Sequence, residues 1–463
     1  MTITRFAPSP TGYLHIGGLR TALYSYLWAK KNGGKFLLRI EDTDLKRNSI
    51  EATKAIENAF EWVGLKHDEK IIYQSQRFDI YKKYIQQLLD EDKAYYCYMS
   101  KEELDKLRES QMAKKQRPRY DNRYRDFSGT IPKDIKPVIR IKTPIGKTIE
   151  FDDGIKGKIS VKVDDVMDDF IIARSDMSPT YNFVVAIDDA LMGITDVIRG
   201  DDHLSNTPKQ IVVYNALGFK LPNFYHVPMI LNPSGKKLSK RDGAMDVMEY
   251  KNMGYMPEAL LNFLVRLGWS YGDQEIFSMD EMLSLFDPHD INKSASAYNS
   301  EKLQWLNAHY IKNAPTKRII KDLEFFELKI IDHDQKELLV DALKSRAKTL
   351  KEFALMAKSI LFDPTEYDQK AIKKFLNEDS LQILQNFTKF LKSLNKTPHL
   401  PIEFEEIVKE FLQKNELKMK QLAQPLRIAM VGSAVSPSVY DVMSIIKLEN
   451  IIKRVEKLLM EHQ

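Results

Sequence analysis

The first twenty residues constrain this chain more than any other stretch. Three β-prone residues lead into a turn rich in Pro, Ser and Gly, and after Gly18 the residues Leu19, Leu23, Tyr26 and Leu27 recur at helical spacing. The pattern is strand, loop, helix. Pro8-Ser9-Pro10-Thr11-Gly12 on its own suits an ordinary βα turn. His15, Gly17 and Gly18 at the predicted helix start tilt the balance toward a phosphate site. Backbone N–H groups are unpaired there, the dipole is positive, and glycine lets a flat base lie against the backbone.

His15-Ile16-Gly17-Gly18 resembles the HIGH element of class I aminoacyl-tRNA synthetases, and the stretch from Arg5 to His15 is similar to its form in bacterial glutamyl-tRNA synthetases. Four residues would say little; the residues around them, and later matches in the same order, carry the resemblance over essentially the whole chain. It implies an α/β fold: a Rossmann-type parallel-sheet catalytic domain (1–75 and 182–244) with an inserted α+β acceptor-stem-binding domain (76–181). A helical stem-contact region (245–310) and an all-α anticodon-binding region (311–463) follow, the latter expected as two bundles, 311–370 and 371–463.

At 463 residues the chain is too long for one ordinary domain; length alone suggests roughly three to four. A formal net charge of +5 with 29 % charged residues means that nucleic-acid contact must come from local basic patches. The single cysteine, Cys97, excludes an internal disulfide and any multi-cysteine zinc site, in keeping with a reducing cytoplasm. No apolar run reaches membrane-spanning length, and nothing after Arg5 reads as a signal-peptide core, so a soluble cytoplasmic protein is expected.

Lys35–Ile40 reads as a strand and 49–64 as an amphipathic helix, the start of a parallel sheet. Between them Glu41, Asp42 and Asp44 cluster at the carboxyl end of a strand, the edge where open α/β sheets bind ligands. Helix capping by Asp44 or Ser49 is the commoner duty. The resemblance gives Glu41 to the substrate's amino group and puts Asp44 and Arg47 near the tRNA end. In the insertion, Lys114 to Arg125 interleaves basic residues with tyrosines. Such a stretch either holds phosphates and stacks bases or is a solvated charged face, and the segment alone leaves the two even. The resemblance assigns it, with Arg119, to gripping the acceptor stem. Some relatives carry a zinc knuckle here, whereas this chain has Met99, Arg123 and Arg125 where further ligands would stand, so no zinc site is expected.

The stretch 195–203 reads as a strand ending at Arg199, then Gly200 and an acidic helical turn. Asp188/Asp189 and Asp201/Asp202 lack a metal-loop spacing and read as turn and cap residues. The resemblance makes Tyr181 and Arg199 amino-acid pocket residues and leaves the parts of Asp201, Asp202 and His203 open. Lys237-Leu238-Ser239-Lys240-Arg241, alone a solvated lysine-rich loop, resembles the KMSKS motif. There Lys237 and Lys240 follow charge onto the leaving pyrophosphate. After residue 311 Gly432 is the only glycine and apolar residues recur at helical spacing. The stretches around Arg346 and Arg427 match the family's anticodon-binding region.

The implied activity is glutamate–tRNA ligation: L-glutamate is activated with ATP and passed to the terminal adenosine of tRNA(Glu), with tRNA(Gln) as an additional or alternative acceptor. An acidic amino acid needs cations at its carboxylates, and a guanidinium fork suits them better than lysine. Arg5 and Arg199 are therefore expected at the two carboxylates, in an order the sequence leaves open, with Tyr181 closing the pocket and Glu41, Ala7 and Ser9 at the ammonium. Thr11, His15, Gly17, Gly18, Leu238, Ser239 and Lys240 are expected at ATP, whose phosphates Mg²⁺ bridges; His15, Lys237 and Lys240 act on the reacting phosphates. Arg346 is expected at the anticodon and the enzyme as a monomer. A glutaminyl-tRNA synthetase would open with Pro-Glu-Pro-Ser-Gly and end in β-barrels, a tRNA-base glutamylating relative would lack the last 150 or so residues, and a small nucleotidyltransferase would not need the helical third. A catalytically dead paralogue would not keep Arg5, His15, Glu41 and Lys240.

Overall fold

In the computed structural model β1 (Ile3–Phe6), α1 (Ile16–Lys31) and β2 (Lys35–Ile40) form the opening unit, the strands pairing in parallel from Ile3 with Lys35 to Phe6 with Leu38. Residues 1–10, 12–44, 49–132, 134–236, 238 and 245–462 are described. Two units divide the chain: Met1–Glu249 with Leu261–Ser300, and Tyr250–Leu260 with Glu301–Gln463.

In the first unit α1 buries Ile16, Leu19, Leu23 and Leu27 on one face, as the 3.6-residue period requires. His15 caps it: Nδ1 accepts from the Gly18 N–H at 3.2 Å. α2 (Ile50–Val63) is capped by Ser49 and stops at Gly64 in the left-handed conformation; β3 (Ile72–Tyr73) then pairs with β2. Next come α3 (Phe78–Asp90), β4 (Ala94–Cys97), α4 (Lys101–Ala113), β5 (Val138–Ile141), β6 (Thr148–Asp153), β7 (Gly157–Lys162), α5 (Val163–Val166) and β8 (Ile171–Ala173). They are followed by α6 (Tyr181–Leu191), β9 (Asp196–Gly200), α7 (Thr207–Leu217), β10 (Asn223–Val227) and β11 (Ile230–Leu231).

β4, β5 and β8, all within 76–181, make a separate antiparallel sheet. The hairpin β6–β7 does not join it. β6 runs parallel to β10, which pairs in parallel with β9, so a piece of the 76–181 segment lies in one sheet with β9 and β10. Thr195 N donates to Ile3 O at 2.9 Å beside β9, bringing β9 next to β1. The chain thus leaves β1 toward β2 on one side and later adds β9 on the other. That reversal is a topological switch point, with a crevice over the strands' carboxyl ends.

The order continues with α8 (Val247–Asn252), α9 (Pro257–Arg266), α10 (Met279–Leu285) and β12 (Ser296–Ala297). Ten helices follow among the described residues: α11 (Ser300–Asn313), α12 (Thr316–Leu323), α13 (Lys336–Lys344), α14 (Leu350–Leu361), α15 (Gln369–Phe375), α16 (Glu378–Lys392), α17 (Pro401–Lys414), α18 (Met419–Val431), α19 (Val439–Ile446) and α20 (Leu448–His462). The segments 311–370 and 371–463, expected as separate bundles, share one apolar core that includes Phe353, Leu384, Phe411, Leu426 and Ile451. Buried Arg454 fastens them: Nη1 donates to Ile360 O at 2.9 Å and Met430 O at 2.6 Å, and Nε to Asp363 at 3.0 Å. Gly432 ends α18 at φ +75°, where a Cβ would also lie 2.7 Å from Glu366 O.

Candidate active site

A cavity of about 620 Å³ opens at the carboxyl ends of β1, β2 and β9. All six expected glutamate residues line it: Arg5, Ala7 and Ser9 from β1 and the loop after it, Glu41 just beyond β2, Tyr181 at the start of α6, and Arg199 on β9. So do His15, Gly17, Gly18 and Leu238. Thr11, Lys237, Ser239 and Lys240 lie outside the described residues, as does Arg47. A Cβ on Gly18 would stand 2.9 Å from Leu14 Cδ1 and 3.5 Å from the Phe6 ring, so the α1 start packs closely on β1. Because Nδ1 of His15 accepts the cap hydrogen bond, the ring proton sits on Nε2, which can donate to an anionic oxygen.

Buried guanidinium groups dominate the amino-acid end. Arg5 donates Nε and Nη2 to the two carboxylate oxygens of Asp189 at 3.0 and 3.3 Å, and Arg39 donates Nη1 to Asp189 at 2.6 Å and Nη2 to Glu41 at 3.2 Å. Burial would raise the Asp189 pKa, but Arg39 and Arg5 hold it below the usual carboxylate value. At Glu41 burial prevails, pushing its carboxyl up against Arg39 and Arg5. Arg199 differs. It donates Nη2 to Thr207 Oγ1 at 2.7 Å and Nε to His226 Nε2 at 3.1 Å, while Nη1 is buried without a partner among the described residues. Nor does any described carboxylate form an ion pair with it. A buried guanidinium nitrogen left unpaired is costly.

Two aspartates need correction. Asp188 and Asp189, read as turn and cap residues, are buried inside α6. Asp188 accepts from Gln74 Nε2, Arg77 Nε and Tyr81 Oη at 2.9, 2.8 and 2.7 Å, and Asp189 neutralises Arg5 and Arg39. The signal lay in the apolar run Phe183–Ile187, which ends in two charges that only buried cations could offset. Sequence reasoning also passed over Arg39, Asp153, Thr207 and His226.

The 201–203 turn has distinct parts. Asp201 pairs with Lys156 at 2.9 Å, Asp202 and His203 line the cavity, and His203 Nδ1 lies 3.1 Å from the Tyr181 hydroxyl. Burial holds the His203 pKa down against Asp202. Within 76–181, Cys97 is buried with Tyr95 and Tyr120, and Met99 packs against them. Arg123 pairs with Asp121 at 2.7 Å, Arg125 with buried Asp169 at 2.7 Å, and Arg140 lies 3.8 Å from the Tyr120 ring centroid. The expected tRNA contacts Asp44, Arg119 and Arg346 are exposed and do not line the cavity. Arg119 donates Nη1 to Asp164 O at 2.6 Å. Among the described residues no helix is long and apolar enough to cross a membrane.

A crevice at the switch point of a parallel sheet, floored by arginines and fronted by a histidine-capped helix with two glycines, defines a class I aminoacyl-tRNA synthetase. The family model for the catalytic domain of class I tRNA synthetases (E and Q) matches residues 1–305, and that for an anticodon binding domain matches residues 298–459. Glutamate–tRNA ligase 2 of Nitratiruptor sp. is 66 % identical over 100 % of this chain and 99 % of its own. Glutamate–tRNA ligase 1 of Campylobacter hominis is 63 % identical over 99 % of each. A solved glutamate tRNA ligase from Elizabethkingia meningosepticum, in complex with its amino acid, has TM-score 0.88 and 34 % identity, covering 100 % of both chains. The chain belongs to the glutamate–tRNA ligases, the aminoacyl-tRNA synthetases that join glutamate to tRNA with ATP.

Proposed function

We propose that the cavity binds L-glutamate with Arg199 and Arg5 at its carboxylates, Glu41 with the Ala7/Ser9 backbone at its ammonium, and Tyr181 over the side chain. The observation carrying this assignment is Arg199 itself, a cavity-lining guanidinium without an ion-paired carboxylate among the described residues, whose Nη1 is buried without a partner. Arg5 is already countered by Asp189, so Arg199 is the guanidinium whose charge the substrate completes. Glutamine would leave one of the two arginines facing a neutral amide in place of a carboxylate, a penalty of about 1–3 kcal/mol.

Magnesium arrives bound to ATP, as part of the substrate. His15 Nε2–H donates to its phosphates, Gly17 and Gly18 let the nucleotide lie against the α1 start, and Thr11, Leu238 and Ser239 complete its site; Leu238 is at the cavity wall. The glutamate carboxylate attacks the α-phosphorus and pyrophosphate leaves; Lys237 and Lys240 balance the charge that moves onto it. The terminal ribose hydroxyl of tRNA(Glu) then attacks the adenylate carbonyl and AMP departs. Catalysis here is positioning and charge stabilisation, with no protein nucleophile. The 76–181 insertion, with Arg119, holds the acceptor stem, Asp44 and Arg47 meet the tRNA end, and 245–310 contacts the stem. The 311–463 helices, with Arg346 exposed, read the anticodon.

The test is steady-state aminoacylation by Arg199→Ala at saturating ATP and tRNA(Glu). The KM for glutamate should rise about 10- to 100-fold while the KM for ATP stays within a few-fold. An unchanged glutamate KM refutes the assignment.

A further inference from the structure

Arg199 is held by residues with no assigned part in the reaction. His226 on β10 stands in register beside Arg199 on β9, and both side chains are buried. Arg199 Nε–H can only donate, so His226 Nε2, 3.1 Å away, must accept. The ring proton is then on Nδ1, which donates to Asp153 at 2.5 Å. Asp153 is itself fixed, accepting from the backbone N–H groups of Ile155 at 3.0 Å, Lys156 at 2.8 Å and His226 at 3.1 Å. Thr207 Oγ1 accepts from Arg199 Nη2 at 2.7 Å and lies 3.0 Å from His226 Nε2. The chain Asp153–His226–Arg199 therefore crosses three adjacent strands and ends at the cavity, with Nη1 the guanidinium nitrogen left over.

We propose that His226, oriented by Asp153 and assisted by Thr207, is a positioning residue for glutamate: it holds the Arg199 guanidinium in one orientation, with Nη1 reserved for a substrate carboxylate. The inference rests on the reading of Arg199 as a glutamate ligand. A free arginine fork would pair with water or a neighbouring carboxylate and lose its selectivity for the substrate; an imidazole locked as acceptor prevents this without adding a second anion beside it. The relay also gives the β6–β7 hairpin a task in the site, since its turn fixes Asp153.

Two conservative pairs test it, with KM for glutamate, KM for ATP and kcat measured in aminoacylation. His226→Asn keeps a donor near Nδ1 but removes the acceptor facing Arg199 and should raise the glutamate KM roughly ten-fold, with the ATP KM within two-fold. His226→Gln places an amide oxygen near the former Nε2 and should recover most of that loss. Thr207→Val should raise the glutamate KM several-fold and Thr207→Ser should not, a comparison that serves equally should the His226 variants fail to fold. Equal behaviour within each pair, or parallel losses for glutamate and ATP, overturns the positioning role. Arg199→Ala, run alongside, separates the two readings. If it leaves the glutamate KM unchanged, the glutamate site itself is misassigned. If it raises the KM while His226→Asn and Thr207→Val are silent, only the relay falls.

Discussion

Arg5 and Asp189 meet as a paired fork, Nε and Nη2 on the two carboxylate oxygens at 3.0 and 3.3 Å, with both side chains almost fully buried. The same carboxylate takes Arg39, so one aspartate on α6 neutralises cations from β1 and β2. Removing it leaves two guanidinium groups in a dry site. Asp189→Ala should therefore destabilise the fold by about 3–5 kcal/mol, measured by urea unfolding. A change below about 1 kcal/mol would mean that water or another carboxylate takes its place.

The buried imidazole gives stability a pH dependence. Burial lowers the His226 pKa below its unfolded value of about 6.5, although Asp153 opposes the shift. The folded form therefore keeps the ring neutral where the unfolded chain takes up a proton. The contribution is fully present above about pH 6.5 and is lost as pH falls below it. His203 shifts in the same direction, so the difference between proteins is the informative quantity. The wild type should lose more Tm between pH 7.5 and 5.5 than His226→Gln; parallel losses would contradict a neutral buried ring.

Lys240 is expected to act on pyrophosphate and not on glutamate. Pyrophosphate exchange by Lys240→Ala, measured with tRNA present, should slow about 100-fold or more while the glutamate KM changes only a few-fold. Unchanged exchange removes the lysine from the mechanism.

In the helical unit Arg346 is exposed, close enough to Arg427 to lower its pKa after the effect of burial. An arginine fork suited to a base edge predicts that Arg346→Gln shifts the ratio of glutamate loaded on purified tRNA(Glu) and tRNA(Gln) by about ten-fold. The same ratio in both proteins would assign discrimination elsewhere.

The local parts of this site were legible in the chain. β2 spans the expected Lys35–Ile40, His15 and the glycines stand at a helix start, and Glu41, Tyr181 and Arg199 line one cavity, because short patterns specify strand ends and caps. What joins those ends was not legible. Asp189 reaches β1 across 184 residues, and Asp153 reaches His226 across 73. A buried counter-ion leaves no periodicity of its own. The β6–β7 hairpin shows the same limit: its alternating burial announces half-buried strands but not which sheet they join. The two expected helical bundles share a core because the apolar faces of 311–370 continue into those of 371–463, and helical spacing alone marks no boundary between them.

The most direct test of the central claim is a crystal structure of the protein with glutamate and a non-hydrolysable ATP analogue. The expected result is a glutamate carboxylate oxygen within about 3 Å of Arg199 Nη1, with His226 and Thr207 still on Nε and Nη2. Glutamate bound elsewhere, or in the cavity with Nη1 still unpaired, would contradict it.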